Sequence, residues 1–393
     1  MRVLVTDGDS RSALAIVRAL GRAGHWVAVG HSRTPALAQA SRYCSHRLEY
    51  PDPASQDQAF VHALVSSVAE LGIDALLPVA DITTLLVTQH RDRFDARCQI
   101  PFAPAAAIAR AADKVDVLKT ALRLGVPVPR TVFVNARPDA PATLDLSYPV
   151  VIKPHRSRTR TPQGWRGTTV SYARDPQDLG AQLAARHDAE FPLALQERIV
   201  GPGLGLFLCV DRGVIVARFC HRRLREKPPT GGVSVLSESI PIHDGALAHA
   251  EALLRDLDWF GVAMVEFKVD ERDGIPKLME INGRFWGSLQ LAIDAGVDFP
   301  NILLRTLAGD PPAAPPAYKV GVRNRWLVGD LESLMIRLFG RSPLPGRAGA
   351  TGRLTAVRDF LALWGRDLHY ENPKRDDLGP FFHELRSLVK GHA

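Results

Sequence analysis

The chain of 393 residues is 46% hydrophobic and 23% charged with a formal net charge of +7, which reads as a globular protein of two or three packed domains. No apolar run is long enough for a membrane span, four scattered cysteines (Cys44, Cys98, Cys209, Cys220) offer neither a disulfide framework nor a zinc site, and the opening MRVLVTDGD reads as a strand rather than in a signal-peptide pattern. The cytoplasm is therefore the expected location.

The basic balance raises nucleic acid as a partner. Arginine, however, gathers in two patches, 156–166 and 218–227, with no recognition helix, aromatic platform or zinc-finger spacing. Two local cationic segments fit a small anion better.

Residues 2–30 read as strand, helix, strand. RVLVT is an apolar run ending in DGDS, where Asp9 or Ser10 can cap a helix bearing Leu14, Ile16, Val17 and Leu20, and Gly24 stops it before HWVAVG. That βαβ unit favours a parallel sheet with binding loops at the C-terminal ends of its strands. The pattern continues with a helix near 55–71, strand-like DALLPVA (74–80) and a helix near 82–90. The first turn is D-G-D-S-R-S rather than G-x-G-x-x-G, and the second strand ends in Gly30-His31-Ser32 without an acid for a ribose. A nicotinamide cofactor is not expected.

A further helix starts at Asp113, with Gly125 after its end and Pro127 beyond. VPVPRTVFV and YPVVIKP are short strands. The basic stretch HRSRTRTPQGWRGTT that follows has no helical or strand period and reads as a mobile loop. FPLALQERIVG, LGLFLCVDRGVIVARF, GVAMVEFKVD and IPKLMEIN form an antiparallel set of strands. GDPPAAPPAY (309–318) is a proline-rich linker, followed by helix-like stretches near 328–340 and 353–364 and a polar tail.

The chemistry gathers around LMEINGRFWGS (278–288). In the preceding run Met264, Glu266 and Lys268 share one face and Val265, Phe267 and Val269 the other. ERDG (271–274) is a turn, and positions 266 and 280 are symmetric about it. Glu266 and Glu280 then face each other about 5 Å apart at Cβ, an arrangement of like charges that a divalent cation between them would relieve. Asn282 adds a neutral oxygen on the same face, a hard ligand set suited to Mg²⁺ with substrate phosphates. Arg284, next on that face, can grip a phosphoryl oxygen. The competing reading is an exposed hairpin with chance acids, against which Ile281, Phe285 and Trp286 argue for burial on the other side. Lys153, at the end of an apolar strand, and Lys114, in the first turn of a helix, are both better placed facing a phosphate than solvent. QERIVG (196–201) reads either as a hinge strand whose backbone meets an adenine edge or as an ordinary edge strand.

Together A-D-K (112–114), VVIKP (150–154), QERIVG, VEF (265–267) and MEINGRFWGS (279–288) resemble the ATP-grasp superfamily, in particular the carbamoyl-phosphate synthase large chain-like ATP-dependent carboligases. The resemblance covers about residues 1–310. It implies a mixed α/β and α+β architecture: a Rossmann-like domain (1–108), an ATP-grasp domain of two α+β subdomains (109–308, lid about 128–196) and a linker with a short helical C-terminal extension (309–393). It also implies ATP with Mg²⁺ or Mn²⁺ as cofactors. Lys114 and Lys153 would contact phosphates, Glu197 and Ile199 would lie at the adenine with Gln196 and Arg198 also at the cofactor, Glu266, Glu280 and Asn282 would hold the metal, and Arg284 would stabilise the transferred phosphoryl group.

Two departures stand out. The loop after Lys153 is arginine-rich where the family has glycine, which suits a lid that also binds an anionic substrate. GPGLGLF offers no acid for the ribose. In HRRLREKPPTGG (221–232), Arg222, Arg225, Gly231 and Gly232 fall where the resemblance puts a substrate carboxylate, with a solvated arginine-rich strand as the competing reading. The implied activity is a carboxylate–amine ligase forming an amide through an acyl phosphate. The alternatives are phosphoryl or carbamoyl transfer without an amide, or a nucleotide-binding regulator. The expected partners are a small carboxylate and a small amine, with room for a homodimer.

Overall fold

Four parallel strands open the chain: β1 (Arg2–Val5), β2 (Trp26–His31), β3 (His46–Glu49) and β4 (Ala75–Leu77), in the order β3-β2-β1-β4. The structure, a computed structural model, describes residues 1–137, 144–162, 164–229, 231–339 and 352–389. Parts of the expected lid (138–143 and 163) and of the expected C-terminal extension (340–351 and 390–393) thus lie outside the described residues. Ser10 caps α1 (Arg11–Arg22) by accepting from the Ala13 amide, and Leu14, Ile16, Val17 and Leu20 are buried against the sheet. α2 (Asp57–Leu71) and α3 (Asp81–Gln89) follow β3 and β4, as the periodicity indicates.

α4 (Ala105–Ala111), a short helix without a side-chain cap, leads into α5 (Lys114–Arg123), whose N-cap Asp113 accepts from the Val115 and Asp116 amides. A second sheet is antiparallel in the order β5-β10-β6-β9, from β5 (Thr131–Val134), β6 (Val150–Pro154), β9 (Ser171–Ala173) and β10 (Leu193–Glu197). Val150, Ile152, Leu193 and Leu195 pack there on Leu179 and Leu183 of α6 (Pro176–Ala185).

The basic segment between β6 and β9 is not a structureless loop. It forms a hairpin of β7 (Arg158–Thr161) and β8 (Gly164–Gly167) with Arg158 opposite Gly167. Thr159 is buried between exposed Arg158 and Arg160, so a period of two is present but written in charge and threonine rather than in apolar residues. The hairpin rests on the first domain, where Trp165 donates its amide to the Ala54 carbonyl at 2.9 Å and Arg160 pairs with Asp57 at 2.5 Å. Gly164, at φ +111°, sits so close that a Cβ would stand 2.7 Å from the Ala54 oxygen.

The largest sheet runs β15-β14-β11-β12-β13-β16-β17. Its strands are β11 (Gly203–Asp211), β12 (Val214–Lys227), β13 (Val233–Ser239), β14 (Gly261–Val269), β15 (Pro276–Asn282), β16 (Arg323–Arg325) and β17 (Leu368–Tyr370). β11 is buried on both faces: Leu204, Leu206 and Leu208 meet α7 (Asp244–Asp256), while Phe207 and Cys209 join the core shared with the parallel sheet. α8 (Leu289–Ala295) and α9 (Phe299–Leu307) close that shared core through Leu291, Phe299 and Leu303.

The C-terminal part carries the two expected helices, α10 (Leu327–Phe339) and α11 (Arg353–Leu361), and a third, α12 (Gly379–Val389). It also supplies β16 and β17 to the large sheet, which no apolar run announces. Among the described residues no helix is long and apolar enough to cross a membrane.

Candidate functional site

A cleft of roughly 680 Å³ lies between the second sheet and the face of the large sheet that carries Met264, Glu266 and Lys268. On its floor Glu266 of β14 stands directly opposite Glu280 of β15. The register slips by one residue beyond this pair, so Phe267 meets Leu278 and Met279 is the extra residue. Glu280 accepts from the Asn282 amide at 3.0 Å and lies 3.4 Å from the Lys114 ammonium. Glu266 is ion-paired with Arg223.

These surroundings drive the two acids apart. Burial opposes ionisation of Glu280, but Lys114, the Asn282 amide and Lys153 outweigh it and hold the carboxyl down at about 2. At Glu266 burial dominates, and with the charge of Glu280 it holds the carboxyl above its ordinary range despite Arg223. An anion pair with one member reluctant to ionise is what a hard divalent cation would relieve, and two carboxylates plus an amide oxygen suit Mg²⁺.

Lys153 reaches the same floor from β6, where Ala194 of β10 is its cross-strand neighbour. Its ammonium is 3.7 Å from the Met279 sulfur. Burial lowers its pKa to about 8, with Glu280 pulling up and Lys114 pushing down. Lys114 is buried at the start of α5 and donates to the Ser157 hydroxyl at 2.9 Å.

Gln196, Glu197, Arg198 and Ile199 form the opposite wall. Gln196 donates to the Thr131 hydroxyl at 2.9 Å, and its buried carbonyl oxygen has no partner among the described residues. The Glu197 carboxylate accepts from the Arg130 amide and from Arg272, both at 3.0 Å. Arg284 sits past the end of β15, paired with Asp81 of α3 at 2.5 Å and 3.4 Å from the Asn282 oxygen. The first domain therefore reaches the floor of the cleft.

The second arginine patch divides. Gly231 and Gly232 line the cleft, but Arg222 and Arg225 do not, contrary to the sequence expectation. Arg222 pairs with Glu238 at 2.6 Å on the other face of β12, and Arg225 pairs with buried Asp330 at 2.5 Å beneath α10. Period-two alternation turns 222 away from the cleft, and a bulge between 223 and 225 turns 225 away as well. Arg223, between them in sequence, faces the cleft, on the same side of β12 as His221. Lys268, on the face of Glu266, also lines the cleft.

Residues 214–329 match the family described as ATP-grasp in the biosynthetic pathway with Ter operon. No curated protein sequence matches the chain. Among solved structures, N5-carboxyaminoimidazole synthetase from Staphylococcus aureus is 16% identical over 87% of this chain and 86% of its own, with a TM-score of 0.63. The L-amino acid ligase from Bacillus licheniformis is 14% identical over 78% of this chain and 73% of its own, at 0.60. A biotin carboxylase from Campylobacter jejuni, solved as a β,γ-ATP complex, is 16% identical over 82% and 74%, at 0.62. The fold is that of the ATP-grasp proteins.

Proposed function

We propose that this chain, with its ATP-grasp fold, is an ATP-dependent ligase that joins a carboxylate to an amine through an acyl phosphate, releasing ADP and phosphate. The observation that carries the reading is the opposition of Glu266 and Glu280 on the floor of a cleft that Lys114 and Lys153 also reach. The solved neighbours named above include an L-amino acid ligase and an N5-carboxyaminoimidazole synthetase, which fits a C–N bond-forming reaction.

In this reading Glu266, Glu280 and Asn282 would hold Mg²⁺, which would supply neutralisation of charge on the phosphates. Lys153, whose charge is opposed by burial, gains from a phosphate oxygen, and Lys114 shares that load. The backbone of Gln196 to Ile199 meets the adenine edge. Arg284, already oriented by Asp81, presents its guanidinium to the phosphoryl group as it leaves ADP for the substrate carboxylate. An amine then displaces phosphate from the acyl carbon. No nucleophilic side chain is needed, so positioning and charge neutralisation carry the rate. The hairpin of β7 and β8 lies beside the floor, where it would keep water from an acyl phosphate.

The test is an ADP-release screen over paired acids and amines, with mass spectrometry of the products. An amide formed in step with ADP supports the reading. A phosphorylated or carbamoylated product without an amide would replace it with group transfer, and tight ATP binding without ADP release would replace it with a regulator.

A further inference from the structure

A second, smaller cavity opens beside Glu280, Asn282 and Arg284, between the first domain and the β7-β8 hairpin. Ile82 and Leu85 of α3 and Ile108 and Ala109 of α4 give it apolar walls. Its volume of about 60 Å³, against about 10–15 Å³ for one water-sized sphere, leaves room for a short chain of a few heavy atoms and none for a fused ring system.

Polar atoms without partners point to what fills it. The indole N–H of Trp165, the Nε of Arg156 and the hydroxyl of Thr84 are all buried, all belong to residues lining this cavity, and none has a hydrogen-bond partner among the described residues. The nearest acid to Arg156 Nε is Asp113, at 3.8 Å, which is too far for a hydrogen bond. Two of these groups are obligate donors, so the missing partner is an acceptor.

Charge points the same way. Lys114, Arg156, Arg158 and Arg284 line the cavity against Asp81 and Glu280. Both acids are already paired, Asp81 with Arg284 and Glu280 with Lys114. A plain alkyl acid would leave the buried donors unsatisfied, and sites built around hydrogen bonds reject such analogues by orders of magnitude. An ammonium would meet donors and guanidinium groups. We propose that this cavity is the acid-binding subsite and that it takes a short aliphatic acid bearing a second oxygen acceptor at its far end, foremost a dicarboxylate. Trp165, Arg156 and Thr84 hold the far oxygens, while the near carboxylate lies at Arg284.

This rests on the ligase reading, and the experiment separates the two. Hydroxylamine serves as the amine. A carboxylate oxygen attacks the γ-phosphorus and the bond to the β–γ bridging oxygen breaks, releasing ADP. The hydroxylamine nitrogen then attacks the acyl carbon, phosphate leaves, and the nitrogen gives up one proton to form a hydroxamate. Short dicarboxylates, hydroxy acids, alkyl monocarboxylates and α-amino acids are compared by ADP and hydroxamate yield. Their binding is measured by calorimetry in the presence of a non-hydrolysable ATP analogue.

The proposal expects dicarboxylates to lead and Trp165→Phe to raise their KM about tenfold or more with the KM for ATP unchanged. Ala109→Leu, at a half-buried position on the cavity wall, should weaken the longer members of the series first. Dicarboxylate binding that depends on Trp165 but yields no ADP sustains the subsite and defeats the ligase reading. Hydroxamate formed best from alkyl or amino acids, or equal binding by native protein and Trp165→Phe, defeats the subsite and leaves the ligase reading standing. Failure of every oxygen-bearing acid to bind defeats the subsite outright.

Discussion

The guanidinium of Arg223, on β12, reaches the carboxylate of Glu266, on β14, across the intervening β11. β11 carries Gly203 and Gly205 at the crossing, with Gly205 paired to Glu266 on one side and His221 on the other. A Cβ at Gly205 would come within 2.7 Å of the His221 ring. Two missing side chains therefore open the trough that lets the ion pair span a strand.

That geometry separates two neighbouring arginines. Arg223→Gln should lower kcat/KM for ATP by about ten- to a hundredfold, the scale of one charge-assisted contact of about 1.5–3 kcal/mol. Arg222→Gln removes an outward-facing pair with Glu238, which keeps Arg323, and should leave turnover within about twofold. ADP release by both purified variants checks this, and the reverse ranking would move the second arginine patch out of the cleft.

Alternation along a strand was legible wherever apolar residues wrote it. Met264, Glu266 and Lys268 share their face as expected, and the symmetric turn at ERDG placed Glu280 opposite Glu266. The same period was hidden in β12, because three arginines in five residues carry no inside-outside contrast and a bulge changes their phase. It was hidden in β7 for a like reason, where threonine is the buried member. Arg284 falls past the end of β15, 3.4 Å from the Asn282 oxygen, and its partner Asp81 is some two hundred residues away in sequence, a pairing that only the packing of the first domain on the hairpin creates. β16 and β17 are three residues each, too short to show a period; β13 offers β16 an edge, and β16 in turn offers one to β17.

Glu280 is the acid at which the floor's contacts converge. Glu280→Gln keeps the Asn282 contact in shape but removes the charge that faces Lys114 and Lys153. Mg²⁺-dependent ADP formation should fall by more than about a hundredfold, in the range lost with a preorganised electrostatic contact, and the Mg²⁺ requirement should move to higher concentration. An unchanged circular dichroism spectrum would show that the fold is intact. Native-like turnover by a folded variant would take Glu280 out of the metal set.

Lys153 gives the site a pH signature. Burial lowers its pKa to about 8, so in the free protein the ammonium is present below that pH and lost above it. Phosphate binds the cationic form, hence kcat/KM for ATP should fall toward tenfold per pH unit above about 8. Lys153→Arg keeps a cation throughout and should flatten that limb of the profile, whatever it does to the absolute rate. A native profile that stays level to pH 10 would mean that Lys153 does not bear on the phosphates.

The C-terminal segment is held to the first domain by a buried charge, and its contribution to stability can be measured. Arg18 of α1 donates to the Asp377 carboxylate at 2.8 Å and to the carbonyls of Glu371, Asn372 and Asp377 at 2.8–2.9 Å, all out of solvent. Arg18→Met leaves those acceptors buried with fewer donors and the carboxylate with Ser41 and the Arg42 amide alone. Breaking such a pair costs about 3–5 kcal/mol, which thermal unfolding should register as a fall of several degrees in Tm. Arg22→Ala, one turn along the same helix, removes a pair with Asp376 that is about one-third exposed on the arginine side, and should cost under about 1 kcal/mol. Replacing both buried partners, Arg18→Met with Asp377→Leu, should recover part of the loss because no unpaired charge then remains inside. If Arg18→Met melted with the native protein, residues 371–377 would be decoration on the first domain rather than part of what holds it to the large sheet.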